Sequence, residues 1–322
     1  MGHVVRVSSE DGEPVVVPGG SVEVRFAAEL AWADGHVRRT GPPDARERSW
    51  ASVLRLPTAA GPVWLKVTTP RTRAEVGLYR LLVATAPDAV LVPLAHDEAR
   101  GLLLLPDGGP TLADAPRPQL GPALAGALAR YGRLQRAMAP RRAEMLALGV
   151  PDAAPEALDA RCAEAVAVTG LPDGGSCRAA VAGWAARLAD APAADLVTVD
   201  HQDLHPGNVL ASGRFYDWGD AVVAHPFASM LVGLGGLART LGVEPDEPVV
   251  HTARDAYLDV FADLAPHAEL VATCELACRA AVVARALTWQ RAVGDAGPDH
   301  PLAGAARETL ARWDDPSPFA AA

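Results

Sequence analysis

Residues Val199–Asp220 read VDHQDLHPGNVLASGRFYDWGD. The stretch sets His201 two residues before Asp203 and Asn208 five residues after it, and it closes on Asp217-Trp218-Gly219-Asp220. Between Asn208 and Asp217 lie two short β-prone runs, Val209–Leu210 and Arg214–Tyr216. A tight hairpin joining them brings its outer ends together, so the Asn208 carbonyl and the Asp217 carboxylate can converge on one divalent cation. Phosphoryl transfer from a nucleotide needs such oxygen ligands on Mg²⁺, and it needs a carboxylate to orient or deprotonate the acceptor hydroxyl. Asp203 suits that second role.

Composition sharpens the reading. The chain of 322 residues has no isoleucine, one lysine and one asparagine, and it is loaded with Ala, Arg, Gly, Pro and Val. The depleted residues are those with AT-rich codons, so a GC-rich genome is the simple explanation. Under that pressure Arg replaces Lys wherever Arg will do. The survivors, Lys66 and Asn208, are therefore positions to examine.

The length suggests two domains or one bilobal unit. Residues 1–106 read as β-rich. Val4–Val7, Pro14–Val17 and Ser21–Phe26 look like short strands. Trp50–Leu56 and Val63–Val67 form a hairpin across the turn Pro57–Pro62. Thr72–Ala84 has helical spacing, Val90–Leu94 is a short apolar run, and Gly101–Leu105 reads as a buried strand. Pro106-Asp107-Gly108-Gly109 then marks a hinge. Residues 107–322 read as mostly helical, with helices expected at Pro122–Ala139, Glu156–Val168, Cys177–Ala191, Phe227–Leu241, Cys274–Val293 and Leu302–Trp313. Val197–Val199 is a further strand candidate, and Asp314–Ala322 reads as a loose tail.

On these residues the chain resembles the aminoglycoside phosphotransferase and choline-kinase-like family, the small-molecule relatives of protein kinases. The family shows an H-x-D-x-x-x-x-N loop, often with Leu-His-Pro-Gly inside it, followed by an Asp-led metal motif. The resemblance makes Asp203 the catalytic aspartate, and Asn208 and Asp217 the metal ligands. Trp218 stands where protein kinases have Phe. It also calls for a lysine on the third strand of the first lobe, held by a glutamate from the next helix. The sole lysine, Lys66, lies in Val63–Val67, and Glu75 follows nine residues on. Arg is a poor substitute there, because a compact ammonium must sit between two phosphate oxygens and a carboxylate. The implied fold is α+β, bilobal and protein-kinase-like, covering roughly residues 40–295, with the first ~35 residues unassigned. The implied activity is Mg²⁺-dependent transfer of the γ-phosphate of ATP or GTP to a hydroxyl of a small molecule, an aminoglycoside or other antibiotic among the candidates. The strand Gly101–Leu105 would contact the purine through the backbone at Leu105, and Asp107 would reach a ribose or a substrate or simply serve the turn.

Several features depart from a protein kinase. G-x-G-x-x-G is absent, since Thr40–Arg48 has only Gly41, and there is no A-P-E element. After Asp220 the chain runs through Ala221–Pro226 into a helix, with no room for a peptide platform. Two other readings stay open: an idle nucleotide-binding regulatory protein on this fold, and a protein kinase. His201 and His205 stand i,i+4, but Pro206-Gly207 and the missing Glu of H-E-x-x-H argue against zinc, and His201 reads as a hydrogen bonder that supports the loop. Asp220 is open between holding the metal loop, contacting substrate and capping a helix. Trp218 and Trp289 read as core. The acidic residues Glu244, Asp246, Glu247, Asp255 and Asp259 would welcome a cationic acceptor, although charge runs are usually solvated faces.

Net charge −10 disfavours nucleic-acid and anionic-membrane partners. No apolar run reaches 18 residues, and Arg6, Glu10, Asp11 and Glu13 interrupt any leader, so neither a membrane span nor secretion is expected. Cys162, Cys177, Cys274 and Cys278 show no metal-ligand spacing and read as buried free thiols of a cytoplasmic protein. The oligomeric state is left open.

Overall fold

The computed structural model describes residues 21–294, 296–297 and 299–315. The strand readings at Val4–Val7 and Pro14–Val17 lie outside these, as do residues 316–322 of the tail. Ser21–Phe26 is not a strand. It contains the short helix α1 (Val22–Arg25), and α2 (Ala27–Asp34) follows. The alternation Val-Glu-Val-Arg imitates a strand. Yet Val22 and Phe26, four apart, share a helical face, and both pack with Leu30 and Ala33 on the back of a sheet, while Val24 stays exposed.

That sheet is antiparallel, ordered β1-β2-β3-β5-β4, with β1 Asp44–Glu47, β2 Ala51–Thr58, β3 Gly61–Thr68, β4 Ala95–Asp97 and β5 Leu102–Pro106. The β2–β3 hairpin is the expected one with a shorter turn. Pro57 and Pro62 lie opposite each other inside the strands, and only Ala59-Ala60 form the loop before Gly61 at φ +115°. Strand alternation sorts the residues by face. Leu54, Leu65 and Leu104 are in register and pack toward α1 and α2, whereas Val53, Lys66 and Leu103 form the adjacent row pointing the other way. On that second side α3 (Ala74–Thr85) joins Leu103 and Leu105 in the large core through Val76, Tyr79 and Leu82.

The rest is mainly helical: α4 (Arg117–Met138), α5 (Arg142–Ala147), α6 (Leu158–Thr169), α7 (Gly174–Ala189), α8 (Met230–Leu241), α9 (Pro248–Leu258), α10 (His267–Val293) and α11 (Ala305–Leu310). A small second sheet, ordered β6-β8-β7, combines β6 (Asp152–Ala153), β7 (Thr198–Asp200) and β8 (Val222–Ala224). α4 begins five residues before the expected Pro122, which the helix carries in its second turn. α10 begins at His267, seven residues before the expected Cys274. Along α10, buried Ala280, Val282, Val283, Ala284 and Ala286 leave no polar stripe, as befits a helix with neighbours on every side. α9 and β8 were not expected from the sequence; Pro248 at the first position of α9 is the start signal that could have found it. The four cysteines are buried and free, with the Cys162 and Cys177 sulfurs 3.8 Å apart between α6 and α7. Among the described residues, no helix is long and apolar enough to cross a membrane.

His225 joins β8 to the turn that leads into α8. Its Nδ1 accepts from the Phe227 amide at 3.3 Å, and its Nε2 donates to the Pro192 carbonyl at 3.1 Å. Burial pulls its pKa down from 6.5 to about 4. The neutral form is thus the folded form, and the stabilisation is intact above pH 6.5 and lost as pH falls toward 4. At one proton this is worth about 3 kcal/mol. The Tm advantage of wild type over His225→Asn should therefore shrink between pH 7.5 and pH 4.5. A difference constant across that range would show that His225 does not titrate on unfolding.

Candidate active site

Lys66 points from the centre of β3 into the cleft between the sheet and the helices. Its Nζ lies 2.8 and 2.7 Å from the two oxygens of Glu75 and 2.6 Å from Asp217 Oδ1. Burial alone would lower the ammonium's pKa, but the Asp217 and Glu75 carboxylates outweigh it and hold it above the ordinary value. Glu75 is pushed up to about 7 by its own burial against the pull of Lys66, with Asp217 adding to the rise. One turn along α3 from Glu75, the Tyr79 hydroxyl accepts from the Asp217 amide at 3.1 Å. Asp217 adopts φ +64°, a left-handed conformation that aspartate tolerates better than most residues. Gly219 follows because space is short there: a Cβ would stand 3.1 Å from Glu75 Oε2 and 3.4 Å from Lys66 Nζ.

The hairpin expected between Asn208 and Asp217 is present in reduced form, as a single antiparallel bridge, Val209–Phe215, and the Leu210 amide donating to Arg214 O. It is clamped on both sides. Leu112 and Ala211 amides tie it to the segment after β5, and Phe215 pairs with Val90 after α3. Asn208 Nδ2 donates to Asp203 Oδ2 at 2.8 Å and to the Asp203 carbonyl at 2.9 Å. Its Oδ1 is buried with no hydrogen-bond partner. A buried carbonyl oxygen left without a donor, close to carboxylates, suits a cation ligand. Among the described residues, no group of three or more His, Cys, Asp or Glu that could hold a metal ion is found.

Asp203 faces His205 Nε2 at 3.4 Å and Arg285 at 3.3 Å. Burial acts to raise its pKa, but the His205 hydrogen bond and the Arg285 charge reverse this and hold it well below the usual carboxylate range. Asp220 moves the other way, raised by burial and by Asp203. It stands 3.8 Å from Arg285 Nη1. His201 Nε2 donates to the Tyr216 carbonyl at 2.9 Å, and its ring packs 4.6 Å from that of Trp218.

Two cavities open along this cleft. One is apolar, walled by Val53, Trp64, Leu91, Leu105 and Leu210, and reaches Lys66 and Asp217. The other includes Asp203, Asp217 and Asp220 and is walled by Trp50, Val232, Arg285 and Trp289. Leu105 lines the apolar cavity. Asp107 sits on the exposed turn, where its Oδ1 accepts from the Gly109 amide at 3.2 Å. Trp218 is core, but Trp289, expected in the core, is half-buried in the wall of the second cavity. The acidic cluster lies elsewhere: Glu244, Asp246 and Glu247 are exposed around the start of α9, and Asp255 pairs with Arg254 and His267. The turn between β1 and β2 is Arg48-Ser49-Trp50, without glycine.

Sequence reasoning missed Tyr79, Arg285 and a buried network behind the loop. In that network Asp200 accepts from the Gln202 amide and the Ser229 hydroxyl, and Gln135 of α4 donates to the Val199 and Pro226 carbonyls. Val199, Asp200 and Gln202, all within four residues of Asp203, were its members beside the motif.

A profile of the phosphotransferase enzyme family matches residues 43–270, and the chain belongs to that family. No curated protein matches. Among solved structures, a choline/ethanolamine kinase family protein from Mesorhizobium loti is similar over 91% of this chain and 97% of its own, at 15% identity and TM-score 0.58. Plasmodium vivax ethanolamine kinase covers 91% and 88% at 9% identity and TM-score 0.62. An amicoumacin kinase solved in complex with AMP-PNP, Ca²⁺ and Ami covers 92% and 96% at 12% identity and TM-score 0.59. At these identities the likenesses show the fold: α+β, of the kind shared by small-molecule kinases related to protein kinases.

The close approach of α8 to the loop yields a test. A Cβ on Gly236 would lie 2.9 Å from His205 Cβ and 3.3 Å from its Cα. Gly236→Ala should lower Tm by several degrees, equivalent to about 1–3 kcal/mol. Gly183→Ala on exposed α7, where nothing lies within 4 Å, should not lower it. Equal Tm values for the two variants would show that α8 does not press on the loop.

Proposed function

We propose that this chain transfers the γ-phosphate of ATP or GTP to a hydroxyl of a small molecule. The observation that carries the reading is the convergence on one cleft of Lys66–Glu75 from the sheet side with Asp203–Asn208 and Asp217 from far along the chain, with the Asn208 Oδ1 left free of protein donors. Residues 1–106 would supply the nucleotide-holding sheet and residues 107–322 the catalytic and acceptor side. The apolar cavity, floored by Leu210 and walled by Leu105, would take the purine.

Lys66 would neutralise the α/β-phosphates, and Glu75 would keep its ammonium aimed while the nucleotide is absent or bound. Asn208 Oδ1 and an Asp217 carboxylate oxygen would hold Mg²⁺, which when bound neutralises phosphate charge as it develops on the leaving oxygen. Asp203 would accept the hydroxyl hydrogen bond and orient the acceptor oxygen toward the γ-phosphorus, taking its proton as the bond forms. Its low pKa makes it a positioning carboxylate first and a weak base second. Asp220 would support the metal loop from beside Asp203. Most of the rate would come from alignment and charge neutralisation. The second cavity would receive the acceptor, and its Trp50, Val232 and Trp289 surfaces suit a ring or other apolar face.

The test is Mg²⁺-dependent ADP or GDP release against pools of aminoglycosides, other antibiotics, sugars and amino alcohols. Asp203→Asn should lower kcat by about 10²–10⁴ and leave the nucleotide KM within about twofold. Asn208→Ala should raise the Mg²⁺ concentration needed for half-maximal rate, and EDTA should stop turnover. Wild-type turnover by Asp203→Asn would remove the assignment.

A further inference from the structure

Arg285 is a buried charge that the mechanism above leaves unused. It projects from the last third of α10 and is only 8% exposed. Its Nη1 donates to the Gln202 carbonyl at 2.7 Å, and its Nη2 donates to Asp203 Oδ1 at 3.3 Å. The same Nη1 stands 3.8 Å from Asp220 Oδ2. The guanidinium lies over the Trp289 ring, 4.6 Å from its centre. One planar group thus reaches the backbone of the catalytic loop, its carboxylate and the end of the metal loop.

We propose that Arg285 is a positioning residue for the transfer reaction, setting the rotation of the Asp203 carboxylate and tying the catalytic loop to Asp220; the proposal rests on the function proposed above. The two oxygens of Asp203 have different partners. Asn208 and His205 fasten Oδ2, and Arg285 fastens Oδ1. A carboxylate gripped at one oxygen swings about its Cβ–Cγ bond, whereas one gripped at both does not. The loop also needs help with its backbone. Gln202 adopts φ +61°, a left-handed conformation unusual for a residue that is not Gly, Asn or Asp, and its carbonyl is satisfied by Arg285. A lysine could reach one of these acceptors but could not present a fork to several. The Trp289 face holds the guanidinium in plane and shields it from water, strengthening each contact.

Two competing roles must be separated. Arg285 could simply glue α10 to the loop, or it could bind the acceptor, since it also lines the second cavity. The experiment measures kcat, both KM values and Tm for Arg285→Met and Arg285→Lys, each in the wild-type and the Asp203→Asn backgrounds. The expected result is a kcat loss of about 10–100-fold for Arg285→Met, with nucleotide and acceptor KM within about twofold. Arg285→Lys should recover part of that loss. In the Asp203→Asn background, Arg285→Met should cost less than about threefold more, because the group it positions is already disabled.

Full additivity of the two losses would overturn the proposal, as would unchanged kcat or a loss confined to the acceptor KM. If Arg285→Met does not fold, Trp289→Leu carries the same test with a smaller kcat loss expected in the wild-type background alone. Failure of the underlying reading is distinguishable, because Asp203→Asn would then retain wild-type turnover.

Discussion

One ammonium group between two carboxylates holds the cleft together. Lys66 is almost fully buried, and a buried charge is tolerated only where opposite charge and hydrogen bonds replace water. Its partners come from different parts of the molecule: Glu75 from α3 and Asp217 from a loop 151 residues away. Moving either carboxylate would leave the buried ammonium with one charged partner instead of two. The sheet, the helix that packs on it and the loop of the helical part therefore all meet at this one ammonium. α3 reinforces it, since Tyr79 fixes the backbone of the aspartate that Glu75 faces across the ammonium.

Behind the cleft the same problem is solved without a cation. The Asp200 carboxylate is buried, and burial raises its pKa, with the Gln202 amide and the Ser229 hydroxyl pulling it back. The Tyr131 hydroxyl accepts from the His201 amide, and Tyr257 donates to the Gln135 Oε1. These groups hang the loop that carries Asp203 from α4, α8 and α9, and each bond left unmade would leave a polar atom dry. The loop is thus rigid where it carries Asp203, and the strain at Gln202 and Asp217 is borne by surrounding packing.

Much of the site was legible in the chain. Asp203, Asn208 and Asp217 stand at fixed short spacings, and local geometry alone brings the ends of a hairpin together. Lys66 was legible for a different reason: it is the sole lysine in a chain rich in arginine, and it is the cation that the structure places between Glu75 and Asp217. Arg285 shows the converse. In a chain this rich in arginine, one more on a helix carries no signal, although it reaches the same carboxylate. Trp289 was misjudged because a tryptophan among alanines on a helix reads as core, and only its neighbour's guanidinium shows why it stands in a cavity wall. Val22–Arg25 was misjudged because four residues of alternation fit a strand or one turn of helix equally well, and the back of the sheet decided between them.

By itself, then, the sequence determined the hairpin β2–β3, the long helices and the local motif, because each depends on residues near one another along the chain. The tertiary structure decided what lies far apart in sequence. It brought Lys66 to Asp217, placed Arg285 against Asp203, left the acidic residues near α9 outside the cleft, and removed every donor from Asn208 Oδ1. The physical reason is that pairing and burial depend on distance and dielectric in three dimensions, neither of which is written in the spacing of residues along the chain.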